Sequence, residues 1–280
     1  MNRAATFGVG RVAGVTIAVL LGAAGAWRVW GPAPAPAAPP DPATITRQQL
    51  WQALQPVTLA NCDLQRYGEP HDGGYLVCAN LLPGVAAGYS YGISGYDGWG
   101  CAVATTWKVP VHQYDCFDTR QPACDAGTVF HAECVGIEPA DVEGRRFDSM
   151  SRQLAANGHT GARVVMKMDV EGAEWNAFLM APDSTFDQID QLVVEFHGTG
   201  EARFLQAVHR LKAHFEVANL HMNNHACTGG QAPFAAWAYE VLFVNKRIAT
   251  VSPTPRVTPF HPLDAANAPE QPDCQVAPTP

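Results

Sequence analysis

The chain has 280 residues, of which 47% are hydrophobic, and its 26 acidic and 18 basic residues give a formal net charge of −8. The basic residues are scattered along the chain, so the sequence lacks an electrostatic footprint for nucleic acid and argues against polyanion binding. Once two compositionally biased ends are set aside, about 190 residues remain, enough for one globular domain with a substantial core.

The N-terminal segment contains an uncharged run, residues 12–27, that follows Arg3 and Arg11. As a helix this run would reach roughly 24 Å, short of the roughly 30 Å hydrocarbon core, and extension to Trp30 would make it adequate. Residues 24–26, Ala-Gly-Ala, also fit a signal-peptide cleavage site. Residues 1–30 are therefore predicted to be a signal anchor or a cleaved signal peptide. The domain is then exported or lumenal, on a single-pass anchor or secreted.

Proline and alanine dominate both flanks of the domain. Residues 31–43 form a stiff spacer that cannot build a core. Residues 44–251 are the predicted domain. Residues 252–280 are a Pro-rich tail that we expect to be disordered or draped over the surface.

Eight cysteines agree with export into an oxidising compartment, where an even number can pair in disulfides. Cys116 and Cys124 flank a Pro-containing loop and are the pair that we expect first. The sequence contains neither a Cys-x-x-Cys nor a His-Glu-x-x-His motif, so it gives little support for structural zinc.

The hydrophobic pattern predicts an α/β domain. An amphipathic helix is expected at residues 46–54, with Thr46 as its N-cap and Leu50 and Leu54 on its apolar face. Strands are predicted at residues 75–78, 88–93, 109–114, 129–134, 164–168, 191–196, 215–220 and 238–244, and further helices at 101–107, 147–157, 175–180 and 201–214. This alternation favours a mostly parallel sheet with helices on both faces.

Residues 164–175 are the most informative stretch, because an apolar run breaks abruptly into three carboxylates around one glycine. The run reads as a strand buried on both faces. Asp169, Glu171 and Glu174 then lie at its carboxyl end, the edge at which ligands bind in open α/β sheets. The alternative is an acidic first helical turn that complements the helix dipole.

Residues 167–174 resemble the Lys-x-Asp-Val-Glu-Gly-x-Glu signature of FkbM-type methyltransferases and of a related methyltransferase-like family of secretory pathways. Two further blocks, residues 72–77 and 88–97, are similar to segments of the same families. The resemblance covers roughly residues 60–247. It implies a Rossmann-like class I methyltransferase fold, with a mostly parallel seven-stranded sheet, one antiparallel strand and helices on both faces. It also implies S-adenosylmethionine as the methyl donor.

Donor binding is expected at the glycine loop that follows the strand at residues 88–93. This loop departs from a common Gly-x-Gly pattern. The next strand ends at Asp115, about 20 residues beyond the loop, where an acidic residue can accept hydrogen bonds from ribose hydroxyls. The predicted donor-binding residues are Gly92, Ser94, Gly95, Asp97, Asp115 and Asp169.

The predicted catalytic residues are Asp169, Glu195 and His197, because Glu195 and His197 point the same way on a strand that should neighbour the one ending at Asp169. His197 could take a proton as general base, with a carboxylate orienting its ring. Alternatively, Asp169 and Glu195 could hold a divalent cation that acidifies a hydroxyl. The expected acceptor-binding residues are Glu171, Asn223 and Asn224.

Together these features predict an S-adenosylmethionine-dependent methyltransferase. By resemblance it methylates a hydroxyl of a sugar or another small acceptor, with no or only weak metal stimulation. The alternative is an inactive methyltransferase-fold module that serves in extracytoplasmic binding or as a scaffold. That alternative follows from export, because S-adenosylmethionine is made in the cytosol. A glycosidase-like pair of carboxylates is a third possibility. The expected partners are a small-molecule or glycan acceptor and, through the N-terminal segment, a membrane.

Overall fold

A computed structural model describes residues 40–124, 127–256, 258 and 260–275. The predicted anchor or signal peptide at residues 1–30, and the spacer up to residue 39, lie outside the described residues. Among the helices that are described, none is both long enough and apolar enough to cross a membrane.

The elements alternate between strands and helices over most of the chain. In chain order they are α1 (Pro42–Ala53), β1 (Leu64–Gly68), β2 (Gly74–Cys78), β3 (Ala87–Tyr91), α2 (Gly98–Trp107), β4 (Val111–Tyr114), β5 (Thr128–His131), β6 (Cys134–Gly136), β7 (Ala140–Val142), β8 (Arg145–Ser149), α3 (Met150–Ala156), β9 (Val164–Met168), α4 (Glu174–Met180), α5 (Asp183–Gln188), β10 (Ile189–His197), α6 (Ala202–His214), β11 (Phe215–Met222) and β12 (Ala238–Asn245).

The main sheet has seven strands in the order β11-β12-β10-β9-β3-β4-β5. Strands β10, β9, β3, β4 and β5 are parallel to one another, and β12 runs antiparallel to both β10 and β11. The expected α/β class, with a mostly parallel seven-stranded sheet and one antiparallel strand, is confirmed. Strand β3 has β4 as its neighbour on one side and β9, which comes later in the chain, as its neighbour on the other side. The carboxyl ends of β3 and β9 therefore flank a topological switch point.

Strand β9 shows why the central strands are largely apolar. Val164, Met166 and Met168 face a core shared with α1, α3, α4 and α6, whereas Val165 faces a second core under α2 and the β1–β2 hairpin. Both faces of the sheet are therefore covered, which favours apolar residues on both faces of the strand, and Lys167 is the buried exception in β9. The second face carries one helix and a hairpin rather than several helices.

Three local predictions differ from the structure. Helix α1 begins at Pro42 with Asp41 as its N-cap, because the Asp41 carboxylate accepts the Thr44 amide hydrogen, so Thr46 lies inside the helix. The expected helix at 147–157 is shortened to Met150–Ala156, since the residues before it form β8. Strand β8 pairs with β6 and β7 in a small three-stranded sheet that the hydrophobic pattern did not indicate.

The described part of the C-terminal tail is draped over the domain. The Asn267 side chain is buried and donates hydrogen bonds to Asp72 and Glu240. The Asn224 amide donates to the carbonyl oxygens of Ala268 and Gln271. These buried polar contacts hold residues 260–275 against the carboxyl ends of the central strands.

All eight cysteines are paired, in the disulfides Cys62–Cys78, Cys101–Cys124, Cys116–Cys134 and Cys227–Cys274. The expected Cys116–Cys124 bond is wrong, because Cys124 reaches back to α2 and Cys116 bonds to the first residue of β6. Sequence proximity was the misleading signal. Four disulfides indicate an oxidising, extracytoplasmic environment.

Reduction of the disulfides should lower the melting temperature, because each bond restricts the unfolded chain. Loss of one such bond costs about 2–4 kcal/mol, which corresponds to a decrease of about 4–16 °C for a domain of this size. Thermal unfolding followed by circular dichroism, with and without a phosphine reductant, measures this change. An unaltered melting curve would contradict the four bonds, and non-reducing peptide mapping should recover Cys101 linked to Cys124.

Candidate functional site

The ends of β9 and β10 bring the predicted catalytic residues together. Val194 pairs with Met168 across the two parallel strands, so the next residues, Glu195 and Asp169, lie side by side. His197 follows two residues after Glu195 and therefore projects from the same face of the strand. The predicted convergence of these three side chains is confirmed.

The ring of His197 lies at the centre of this cluster. Its Nε2 atom is 3.9 Å from Asp169 Oδ1, 3.8 Å from Glu195 Oε1 and 3.4 Å from Glu171 Oε2. One ligand atom from each of Asp169, Glu195 and His197 falls within 4.8 Å of the others. We call these three residues, with Glu171, the acidic cluster. Asp169, Glu195 and His197 are the residues that could hold a metal ion.

Two buried donors support the cluster from behind. The Tyr75 hydroxyl donates to Asp169 Oδ2 at 3.3 Å and lies 3.5 Å from Glu195 Oε2. Lys167 Nζ donates to the carbonyl oxygen of Gly92 at 2.8 Å and contacts Asp169 Oδ2 at 3.3 Å. Tyr75 belongs to the Asp-Gly-Gly-Tyr segment and Lys167 to the acidic signature, so the sequence contained both signals without showing these roles.

Glu174 fixes the position of His197 and is fully buried at the start of α4. Its carboxylate accepts the backbone amide hydrogens of His197 at 2.9 Å and of Gly172 at 2.8 Å. The Trp175 indole donates to the carbonyl oxygen of His197 at 2.7 Å. Glu174 is therefore a brace between α4 and the end of β10.

The carboxylates around His197 determine its protonation. Burial alone lowers the pKa of His197, but contact with Glu174 and the negative charges of Glu174, Glu195 and Asp169 outweigh burial and raise the pKa to about 9. Burial, followed by the charges of Asp169 and Glu240, raises the pKa of Glu195 well above its ordinary value. The surrounding carboxylates thus favour the protonated form of His197, and its predicted role as general base requires loss of that proton.

The glycine loop after β3 packs against the backbone of Asp169 in the acidic cluster. A Cβ atom on Gly92 would lie 1.5 Å from the carbonyl oxygen of Asp169, and the backbone of Gly92 adopts a φ of +73°. The Asp169 amide donates to the Tyr91 carbonyl oxygen at 3.1 Å. This position requires glycine, because a side chain would push the strand ends apart.

A cleft of about 240 Å³ opens between the glycine loop, the end of β4 and the start of the loop after β9. It therefore lies at the topological switch point of the sheet. The cleft is lined by Gly92, Ser94, Tyr114, Asp115, Phe117, Cys134, Val135, Phe147, Asp169, Val170, Glu171 and Ala173. Its walls are mainly apolar and aromatic, and its polar groups are concentrated at the end where the acidic cluster lies.

Asp115 lines this cleft, but its carboxylate is already engaged. One oxygen accepts the amide hydrogens of Ile93 and Ser94, and the other accepts those of Phe117 and Asp118. A carboxylate has about four acceptor positions, so the backbone uses them all in this structure. Asp115 orders the glycine loop, and its contact with a ribose stays a prediction.

Five other predicted residues, among them the buried Glu195, do not line the cleft or the groove described below. Asp97 is the N-cap of α2, where it accepts the Gly100 amide hydrogen, and Gly95 lies against Asp118 and Arg120. Asn223 is buried and donates to Glu195 Oε1 at 2.9 Å, so it supports the cluster from within. Asn224 holds the C-terminal tail.

A second, more open recess of about 450 Å³, here called the groove, adjoins the cluster on its other side. His197, Glu171 and Trp237 line it, and the Trp237 side chain is 44% exposed. The other lining residues are Arg47, Gly172, Trp175, Gly198, Thr199, Gly200, Glu201, Arg203, Phe204 and Gln231. Arg47 and Trp237 come from opposite ends of the described chain, and no sequence pattern linked them to the site.

Comparison with protein-family models finds none that matches this chain, and comparison with curated proteins finds no match either. The chemistry must therefore be argued from the geometry.

Replacing Glu174 by Gln should destabilise the domain by about 2–3 kcal/mol, since the new amide nitrogen would face a buried backbone N–H donor. The displaced end of β10 should also move His197. Chemical denaturation measures the loss, and the exposed Glu143→Gln variant should remain within about 0.5 kcal/mol of the wild type. Equal stability of the two variants would remove Glu174 from its role as a brace.

Proposed function

We propose that this protein is an S-adenosylmethionine-dependent methyltransferase that methylates a hydroxyl group. The observation that carries this proposal is that the acidic cluster adjoins two recesses, since Glu171 lines both, Asp169 lines the cleft and His197 lines the groove. The cleft lies at the switch point of an α/β sheet, and the groove lies across the cluster from it. Two molecules bound in these recesses would meet at Asp169, Glu171 and His197.

The cleft suits a nucleoside with a charged tail. Phe117, Phe147 and Val135 offer apolar surface for a flat purine, and the guanidinium carbon of Arg145 lies 4.5 Å from the centre of the Phe117 ring on the cleft rim. The opposite end presents the carboxylates of Asp169 and Glu171. A sulfonium cation is attracted to carboxylates at short range, so the reactive end of the donor would point towards the cluster.

The groove suits a polar acceptor. Trp237 exposes an aromatic face on which a sugar ring can pack, and Thr199, Gln231 and Arg47 supply polar groups around it. An acceptor hydroxyl placed near His197 would approach the donor from the side opposite to the cleft. The sugar as acceptor class rests on the sequence resemblance and on this aromatic surface.

Methyl transfer needs little from the protein beyond alignment and proton removal. The acceptor oxygen forms a bond to the methyl carbon while the carbon–sulfur bond breaks, and sulfur keeps the electron pair to give S-adenosylhomocysteine. Alignment in the two recesses would supply most of the acceleration. The hydroxyl proton passes to a basic atom of the acidic cluster.

A non-catalytic binding or scaffold module is the second candidate, and two observations favour it. The cleft volume of about 240 Å³ lies below the roughly 300–1,000 Å³ that is usual for ligand pockets. The carboxylate of Asp115 is also fully engaged by the backbone. A glycosidase-like role fits poorly, because the ligand oxygens of Asp169 and Glu195 lie within 4.8 Å and Tyr75 contacts both carboxylates.

Calorimetric titration of S-adenosylhomocysteine into the full chain should show one site with a micromolar dissociation constant. The Phe117→Ala variant should weaken this affinity about three- to tenfold, since an aromatic contact contributes about 0.5–1.5 kcal/mol. Phe117 is 72% exposed, so its removal should leave the fold intact. Met180→Ala, another exposed apolar residue at the end of α4, is the matched control. Absence of binding by folded protein would favour the non-catalytic module.

His197→Ala should reduce turnover about 100-fold or more while the S-adenosylhomocysteine dissociation constant changes less than about twofold, because His197 faces the groove rather than the cleft. Release of S-adenosylhomocysteine in the presence of a panel of hydroxylated sugars measures turnover. His209→Ala, which removes an exposed imidazole on α6, is the control. Full activity of the His197 variant would end its assignment to catalysis.

A further inference from the structure

We infer that Asp169, Glu195 and His197 bind a divalent cation through one oxygen of each carboxylate and the Nε2 atom of the imidazole. The inference does not require a methyl donor or an acceptor, and so stands apart from the proposed function. It rests on the direction of the donor atoms, on the absence of a well-formed hydrogen bond to the buried His197 ring among the described residues and on the excess of negative charge.

The supporting contacts occupy the outer side of the carboxylates. Tyr75 and Lys167 both contact Asp169 Oδ2, which leaves Oδ1 facing His197. Tyr75 also lies against Glu195 Oε2, and Asn223 donates to one lone pair of Oε1. The free lone pairs of Asp169 Oδ1 and Glu195 Oε1 therefore point inwards, and the outer donors fix their orientation as partners of metal ligands do.

The imidazole of His197 has only 9% of its side chain exposed, and its Nδ1 and Nε2 atoms lie 3.4 Å from Glu174 Oε1 and Glu171 Oε2 without a well-formed hydrogen bond to either carboxylate. Its Nε2 atom lies 3.8 Å and 3.9 Å from the two inward oxygens, too far for hydrogen bonds. Ligands at about 2.0–2.3 Å from an ion lie about 3 Å apart when adjacent and over 4 Å apart when opposite. The observed spacings fall between these limits.

The charge around this point also favours a cation. Asp169, Glu171, Glu174 and Glu195 supply four carboxyl groups, whereas the positive groups in contact with them are the Lys167 ammonium and protonated His197, whose proton a bound ion would replace. Glu171 is 82% exposed at the entrance shared by the cleft and the groove, where it could add a fourth ligand. Two carboxylates with one imidazole suit an ion that accepts oxygen and nitrogen ligands, such as Mn²⁺, better than one that requires thiolates.

The test uses Mn²⁺ alone with the full chain after treatment with a chelator. Titration followed by electron paramagnetic resonance should show one saturable site per chain. Asp169→Asn should weaken its affinity at least tenfold, whereas Asp183→Asn, which removes an exposed carboxylate on α5, should leave the affinity unchanged. Circular dichroism checks that both variants are folded.

A second measurement on the wild-type chain keeps the inference testable if Asp169→Asn fails to fold. Pulsed electron paramagnetic resonance of bound Mn²⁺ should show coupling to a directly coordinated ¹⁴N nucleus, and His197→Gln should abolish this coupling. A saturable site without nitrogen coupling would overturn the inference, as would only weak, unsaturable binding. The experiment contains no S-adenosylmethionine, so a failure of the proposed methyl transfer would not affect its result.

Discussion

The burial of negative charge at the ends of two adjacent parallel strands is the constraint on which the site depends. A buried carboxylate is costly unless hydrogen bonds or opposite charges compensate it. Here Tyr75, Lys167 and Asn223 compensate the carboxylates of Asp169 and Glu195, and two backbone amides compensate Glu174. Because these donors come from β2, β9, the loop after β9, the end of β10 and the residue after β11, the cluster ties separate elements of the fold together.

This arrangement explains why the glycine loop and the acidic cluster cannot vary independently. Lys167 contacts the backbone of Gly92 as well as the carboxylate of Asp169, and Gly92 lies against the Asp169 carbonyl group. A shift of the loop would therefore alter both the cleft and the orientation of Asp169. The shape of the cleft and the electrostatics of the acidic cluster are set by the same few contacts.

Sequence reasoning succeeded where the signal was local. The apolar runs of β9 and β10 end in ionisable residues, and parallel pairing of those strands was enough to place Asp169, Glu195 and His197 together. It failed where long-range geometry decides. Two examples are the Cys101–Cys124 bond and the contribution of Arg47 and Trp237 to one groove. Both depend on which distant segments the fold brings together, and the spacing of residues in the sequence does not show this. The small sheet of β6, β7 and β8 consists of short, exposed strands with little hydrophobic pattern.

The position of β12 between β10 and β11 has a consequence for the order of folding. During synthesis β11 emerges before β12, but its hydrogen-bonding partner in the sheet is β12, so it cannot join the sheet until β12 has formed. Until then β10, which carries Glu195 and His197, presents an open edge with unpaired backbone groups. Such edges promote association between incomplete chains. The nascent protein is therefore most vulnerable to aggregation late in translation, just before its acidic cluster is enclosed.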